Sequence, residues 1–300
     1  MTHAVRDLLI RKAPLLRERT SIRLGGPAIA EIAISSARGL DYLPDTALRL
    51  GGRIEPLGAG TNIIALDQSL PLLLITQTPF HETRIIGEKE ERVLIRVDAA
   101  QKLPALLGKA ASLGLGGLEG LTGIPGSVGG AIAMNAGSYG ASIGDWVYNV
   151  EVFSPLLGLA ELPAANFTFS YRSCRLAQHE GWFLITGATF ALPKNERSLI
   201  RKRMREVYAK KRASQPVTAW SAGCVFKNPT PETSAGWLLE QAGLKGMSRG
   251  GMRFSGVHAN FLVNEGTGNS EQAMYLIELA RERVYRESGH LLETEVRIWP

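Results

Sequence analysis

From residue 22 to residue 77, apolar and polar positions alternate over short stretches, interrupted by glycine turns and by one segment of helical spacing at 37–51. That mixture predicts a small unit of strands and one helix, closed by a strand over 71–75. Residues 92–97 then alternate as a strand, and 104–113 repeat their apolar positions at helical intervals. Extended segments at 147–153, 167–171 and 182–191 complete a second α+β unit. A charged helical run at 194–212 leads to a last block, 221–300, read as strand, short helix, strand, long helix and strand. In the long helix, Ala273, Leu276, Ile277, Ala280 and Val284 form one apolar stripe, with Asn269 as its cap and Gln272 answering three residues later. The stripe marks core. The predicted blocks therefore run 1–78, 79–193 and 194–300.

Two glycine-rich segments interrupt this pattern. The stretch GGLEGLTGIPGSVGGAIAMNAGSYG, residues 116–140, crowds small residues together with no charge but Glu119. A backbone needs so many glycines where it turns sharply or presses against something. A tightly packed turn with no ligand accounts for part of it, but the small-residue character of Ala131, Ala133, Asn135 and Gly137 outruns what a turn requires. LGAGTN, residues 57–62, is a second and shorter glycine turn after a strand. Gly58 and Gly60 lack the third glycine of the dinucleotide fingerprint, since Ile63 stands there, and the pair reads equally as a tight strand-end turn. The amides and side chains of Thr61 and Asn62 could nonetheless serve a pyrophosphate. Two such turns suggest one large anionic ligand. No G-x-x-x-x-G-K-[ST] run is present, so a Walker-type phosphate loop is excluded.

Composition narrows the class further. A chain of 300 residues with 45% hydrophobic and 21% charged content suits a well-packed protein of two or three domains. No apolar run approaches the roughly twenty residues that cross a bilayer, and the N-terminal segment lacks a signal-peptide pattern, so a cytoplasmic location is expected. Cys174 and Cys224, the two cysteines, read as thiols. The net charge of +6 is modest and concentrated in the 194–212 run. A solvated helix is the plain reading of that run, and attraction of a phosphorylated small molecule is the functional one.

Four side chains are weighed as chemical candidates. Cys224 follows glycine in SAGCVFKNP, where Lys227 and Asn228 bring the segment towards a surface. Alone it reads as a buried small hydrophobe, yet a thiol with an ordinary pKa of about 8.5 stays protonated near neutrality and could donate a proton. His258, in HANFLVN, is the one candidate partner for a nucleophilic cysteine and makes an unconvincing one. Arg172 in FSYRSC and Glu295 in LLETEVRIWP each read alone as ordinary surface residues.

In order, the segments TSIRLGGPA, LGAGTN, GLTGIPGSVGGAIAMNAGSYG, FSYRS, SAGCVFKNP, AGWLLEQAGLKG, HANFLVN and LETEVRI resemble the UDP-N-acetylenolpyruvoylglucosamine reductase family over nearly the whole chain. The resemblance implies an α+β fold: a two-part FAD-binding region of the vanillyl-alcohol-oxidase (PCMH) type plus a C-terminal α/β substrate-binding domain. It implies FAD held by Gly58, Gly60, Thr61 and Asn62 at the pyrophosphate and by Gly123, Ser127, Gly129 and Ala131 along the dinucleotide, with NADPH as hydride donor and no metal. It implies catalytic roles for Arg172, Cys224 and Glu295, and contacts from Lys227 and Asn228 to the UDP moiety. The implied reaction is reduction of UDP-N-acetylglucosamine enolpyruvate to UDP-N-acetylmuramate in cell-wall precursor synthesis, with small-molecule partners only. Cys224 departs from the family's usual serine, and Thr294 from its usual proline. The short separation of Arg172 from Cys224 resembles the class that lacks the inserted tyrosine loop. Another FAD-linked oxidase or dehydrogenase, and a basic nucleotide- or RNA-binding protein, are the rival expectations; the first lacks the SAGC and LETE motifs and the second predicts no bound chromophore.

Overall fold

The computed structural model describes residues 2–5 and 7–300, with side chains described from residue 7 onward. Contacts divide the chain into two compact units. The first comprises Met1–Lys12, Ala30–Gly58 and Pro71–Lys210, and the second Ala13–Ile29, Ala59–Leu70 and Lys211–Pro300. The blocks read from sequence are contiguous, whereas here two N-terminal segments join the C-terminal block.

Two five-stranded sheets build the first unit. One is ordered Thr2–Val5, Leu8–Lys12, Ala28–Ile34, Leu70–Gln77, Arg53–Pro56. Ala30, Ile32 and Ile34 alternate inward from their strand, while Leu72 to Ile75 are all buried, as a strand covered on both faces requires. The helical stretch expected at 37–51 divides into a 3-10 turn, Ala37–Tyr42, and the helix α1, Leu43–Leu50. The other sheet is ordered Gly158–Pro163, Val147–Ser154, Leu184–Pro193, Arg92–Asp98, Arg84–Lys89 and is antiparallel throughout. Helix α2, Leu103–Leu113, starts with proline in its first turn and stops at Gly114 in the left-handed conformation. Its Leu103, Leu106, Leu107 and Ala110 pack with Val128, Ala131 and Ile132 of the short helix α3, Val128–Ala133, over Ile95, Val97, Val150 and Phe190 of the sheet.

A hairpin, Phe167–Ser170 with Ser173–Leu176, falls where the sequence predicts one extended segment over 167–171. The chain reverses at Tyr171 and Arg172. Helix α4, Arg197–Ser214, is the basic run; Ile200 and Val207 are buried and Met204 packs against the core, while most of the charged positions face water.

In the second unit an antiparallel sheet is ordered Trp220–Cys224, Phe261–Asn264, Met252–Phe254, Ser248–Arg249. Helices α5, Ala235–Gln241, and α6, Ser270–Ser288, cover it. Every residue of the predicted α6 stripe is buried. Asn269 caps α6 by accepting from the Gln272 N–H at 2.9 Å, but the Gln272 side chain accepts from the Gly251 N–H at 3.0 Å, so the reciprocal half of the expected box is spent on the neighbouring turn. The last strand, Arg297–Trp299, runs parallel to Ile63–Ala65. Among the described residues, no helix is long and apolar enough to cross a membrane.

Candidate active site

The strand that carries Cys224 has one residue too many for its partner. Ser221 pairs with Val263 and Cys224 with Phe261, so three steps on one strand match two on the other. Gly223 absorbs the excess at φ +80°, a conformation that side chains resist, although a Cβ there would meet nothing within 4 Å. The glycine of S-A-G-C is thus required for backbone shape and not for space. This bulge immediately precedes the thiol and sets its direction.

Beyond the bulge the backbone is held from both sides. The Val225 N–H donates to the Asn260 carbonyl at 2.8 Å, and the Val225 carbonyl accepts from the Glu295 N–H at 2.7 Å. Buried Asn260 adds its side chain, accepting from the Phe226 N–H at 2.9 Å and donating to the Phe226 carbonyl at 2.8 Å. An isolated antiparallel bridge joins Phe226 to Thr294. Cys224 and Glu295 therefore sit on adjacent extended segments, each within two residues of that bridge, and both are half-buried. Thr294 fills an ordinary bridge position.

Asn62 extends this frame. Its Nδ2 donates to the Glu295 carbonyl at 3.1 Å and its carbonyl accepts from the Arg297 N–H at 2.9 Å, so one residue of the short glycine turn clamps the Glu295 segment. The Gly60 carbonyl accepts from the Ser21 N–H at 3.0 Å. Because a trans peptide points its C=O and N–H in opposite directions, the Thr61 N–H faces away from Ser21.

In the first unit, Gly58 meets the longer glycine segment. A Cβ at Gly58 would stand 2.4 Å from Ser127 Oγ. Ser127 caps α3 by accepting from the Gly130 N–H at 3.2 Å, while the Val128 and Gly129 N–H groups donate to the Gln101 and Ala99 carbonyls at 2.8 and 2.9 Å. The Ala131 N–H returns to the Ser127 carbonyl at 2.9 Å. The amides of α3 are thus spent within the protein, and what Gly129 and Ala131 present is a close, small-residue surface. Gly123 lies upstream at φ +84°. Two glycine turns distant in sequence converge at Gly58 and Ser127.

Arg172, half-buried at the tip of its hairpin, has a left-handed backbone at φ +58°. Its Nη1 donates to the Gly137 carbonyl at 3.1 Å, and its guanidinium lies 5.1 Å from the Tyr171 ring. Lys227 pairs with Glu293 at 3.2 Å, an exposed contact of small energetic weight. Asn228 accepts from the Ala235 N–H at 3.0 Å and so fixes the start of α5. Cys174, on the return strand of the Arg172 hairpin, is pushed up to about 11 by burial, which keeps it a thiol.

His258 has a structural place. Its Nδ1 accepts from the Asn260 N–H at 3.2 Å, which requires an unprotonated nitrogen. Desolvation holds its pKa below the ordinary 6.5, opposed by Glu240 and aided by Lys245. The unfolded chain then takes up a proton below 6.5 that the folded ring resists, so this contribution is complete above 6.5 and is lost as pH falls beneath it. We expect the thermal midpoint to drop between about pH 7.5 and about pH 5.5, and His258→Gln to flatten that slope, as melting curves at the two values would reveal.

Comparison with known proteins agrees with this architecture. Residues 44–156 match an FAD binding domain model, and residues 215–299 match the model of the UDP-N-acetylenolpyruvoylglucosamine reductase C-terminal domain. A relative of that name from Nitratidesulfovibrio vulgaris is 52% identical, covering 97% of this chain and 98% of its own. Another from Oleidesulfovibrio alaskensis is 47% identical over the same shares. A crystal structure of UDP-N-acetylenolpyruvylglucosamine reductase from Thermus caldophilus superposes with a TM-score of 0.81 at 31% identity, covering 98% of this chain and all of that one. With its FAD-binding region and similarity of this order over nearly the whole chain, the chain belongs to the UDP-N-acetylenolpyruvoylglucosamine reductase family of FAD-dependent oxidoreductases.

Proposed function

We propose that the protein reduces UDP-N-acetylglucosamine enolpyruvate to UDP-N-acetylmuramate with NADPH as the electron source, in the synthesis of cell-wall precursors. The observation that carries this reading is the Phe226–Thr294 bridge, which sets a proton donor, Cys224, and a carboxyl group, Glu295, on neighbouring segments. FAD fits the convergence of Gly58 and Ser127, with Gly123, Gly129 and Ala131 lining the longer segment and Gly60, Thr61 and Asn62 offering backbone and amide donors to its pyrophosphate. Bound there, FAD would supply hydride chemistry, taking electrons from NADPH and making a hydride available to the terminal methylene carbon of the enolpyruvyl group.

The protein's own groups manage the charge and the proton. As the double bond gives way, negative charge moves into the substrate carboxylate, where Arg172 donates hydrogen bonds to it and Glu295 holds it through a shared proton. The Cys224 thiol delivers its proton to the alpha carbon, completing the methyl-bearing product, and the thiolate regains a proton from solvent. Lys227 serves the diphosphate by exchanging Glu293 for it, and Asn228 orders the adjacent loop.

The test is spectroscopic. Purified protein should show flavin bands that bleach with NADPH in the absence of air and return when UDP-N-acetylglucosamine enolpyruvate is added. Bleaching without return would discard the substrate, and a colourless chain that cannot be reconstituted with FAD would discard the whole reading.

The cofactor cradle can be probed at Gly58, where the tight neighbour is a side-chain hydroxyl. Gly58→Ala places a methyl group 2.4 Å from Ser127 Oγ and should weaken FAD retention by about tenfold. Adding Ser127→Ala removes that oxygen, leaving Ser127 Cβ at an ordinary 3.6 Å. Titrations followed by flavin fluorescence should therefore find the double variant binding FAD more tightly than Gly58→Ala alone.

A further inference from the structure

We infer that Asn135 is a positioning residue for Arg172, an inference that rests on the role given to Arg172 above. Its side chain reaches in two directions. Nδ2 donates to the Ser170 carbonyl at 3.0 Å, and Oδ1 accepts from the Gly144 N–H at 3.1 Å. Ser170 is the last paired residue before the two-residue turn of Tyr171 and Arg172, facing Ser173 across the hairpin. Two residues after Asn135, the Gly137 carbonyl accepts from Arg172 Nη1. One short segment, 135–137, therefore grips both the root of the turn and the guanidinium at its tip.

The turn needs such a grip. Two-residue hairpin loops favour glycine, asparagine or aspartate because one or both positions are left-handed. This loop offers tyrosine and arginine, with Arg172 at φ +58°, a conformation that L side chains resist. Holding it in place falls to contacts from outside the loop. Asparagine meets that need, because it tolerates its own φ of +38° and brings a donor and an acceptor on one rigid amide. A carbonyl at one end and an N–H at the other require that pairing, so aspartate, lacking the donor, cannot replace it.

Asn135→Asp keeps an acceptor for Gly144 and sets a carboxylate oxygen against the Ser170 carbonyl. In the FAD-loaded enzyme, reduced with NADPH and then mixed with the enolpyruvyl substrate, the return of flavin colour should slow about tenfold while reduction by NADPH keeps its rate. In an Arg172→Ala background the same change should cost less than about twofold, because the group it positions is gone. An undiminished cost in that background, an equal slowing of both half-reactions, or no slowing at all would overturn the inference. Should Asn135→Asp fail to hold flavin, Asn135→Gly, which accepts the same backbone angle, carries the test with the same outcomes. Arg172→Ala with an unslowed return of colour would refute the role of Arg172 and the inference with it, a result distinct from a slow Arg172→Ala enzyme to which Asn135→Asp adds its full cost.

Discussion

Cys224→Ala is expected to leave the bleaching of flavin by NADPH untouched and to lower turnover by about 10²–10⁴-fold, the usual contribution of a positioned general acid. In the proposed reaction only the second half-reaction consumes a proton at carbon, so only that half should suffer. The backbone gives the thiol its importance. The bulge at Gly223 directs it, and the bonds of Val225 to Asn260 and Glu295 hold the segment on both sides. Alanine alters none of these, since they are main-chain contacts, and the loss it causes is therefore chemical. Cys224→Ser offers a hydroxyl proton from the same position and should stay active. Rapid mixing of each half-reaction separates the outcomes: equal slowing of both in Cys224→Ala would remove the thiol from the proton step.

Much of this arrangement is written in local sequence, and the legible parts share a cause. The α6 stripe is readable because a helix exposes its core face at a fixed interval, and all five residues named for it are buried. Gly58 marks a close approach to Ser127 Oγ, and Gly223 marks a left-handed bulge before Cys224 that side chains resist. What escapes the sequence depends on distance or on a partner. The turn at Tyr171 and Arg172 carries no glycine, asparagine or aspartate, so an extended segment is the natural reading, and the Ser170 carbonyl at its root is bonded by Asn135 far upstream. Gln272 matches a capping box by position but is diverted to the Gly251 N–H. The two glycine turns suggest one large anionic ligand, yet the amides of α3 are spent on Ala99, Gln101 and Ser127. Asn62 shows the same limit: its motif points to phosphate, whereas its side chain also holds the Glu295 segment.

Arg172→Ala should slow the return of flavin colour by about 10²–10³-fold, comparable with removing one donor to a developing oxyanion. Its backbone angle makes a sharper pair of variants available. Arginine and alanine both bear a Cβ and resist φ +58° equally, so Arg172→Ala deletes the guanidinium and leaves the strain in place. Glycine adopts that angle freely, which offsets the greater entropy its unfolded chain must lose. Arg172→Gly should therefore melt no lower than the original protein while being as inactive as Arg172→Ala. An enzyme that keeps its thermal midpoint and loses its second half-reaction would identify the left-handed arginine as strain maintained for chemistry. If Arg172→Gly instead melted well below the original, the Nη1 contact with Gly137 would be supporting the fold, and the slowed reaction would reflect a loosened hairpin rather than a missing charge.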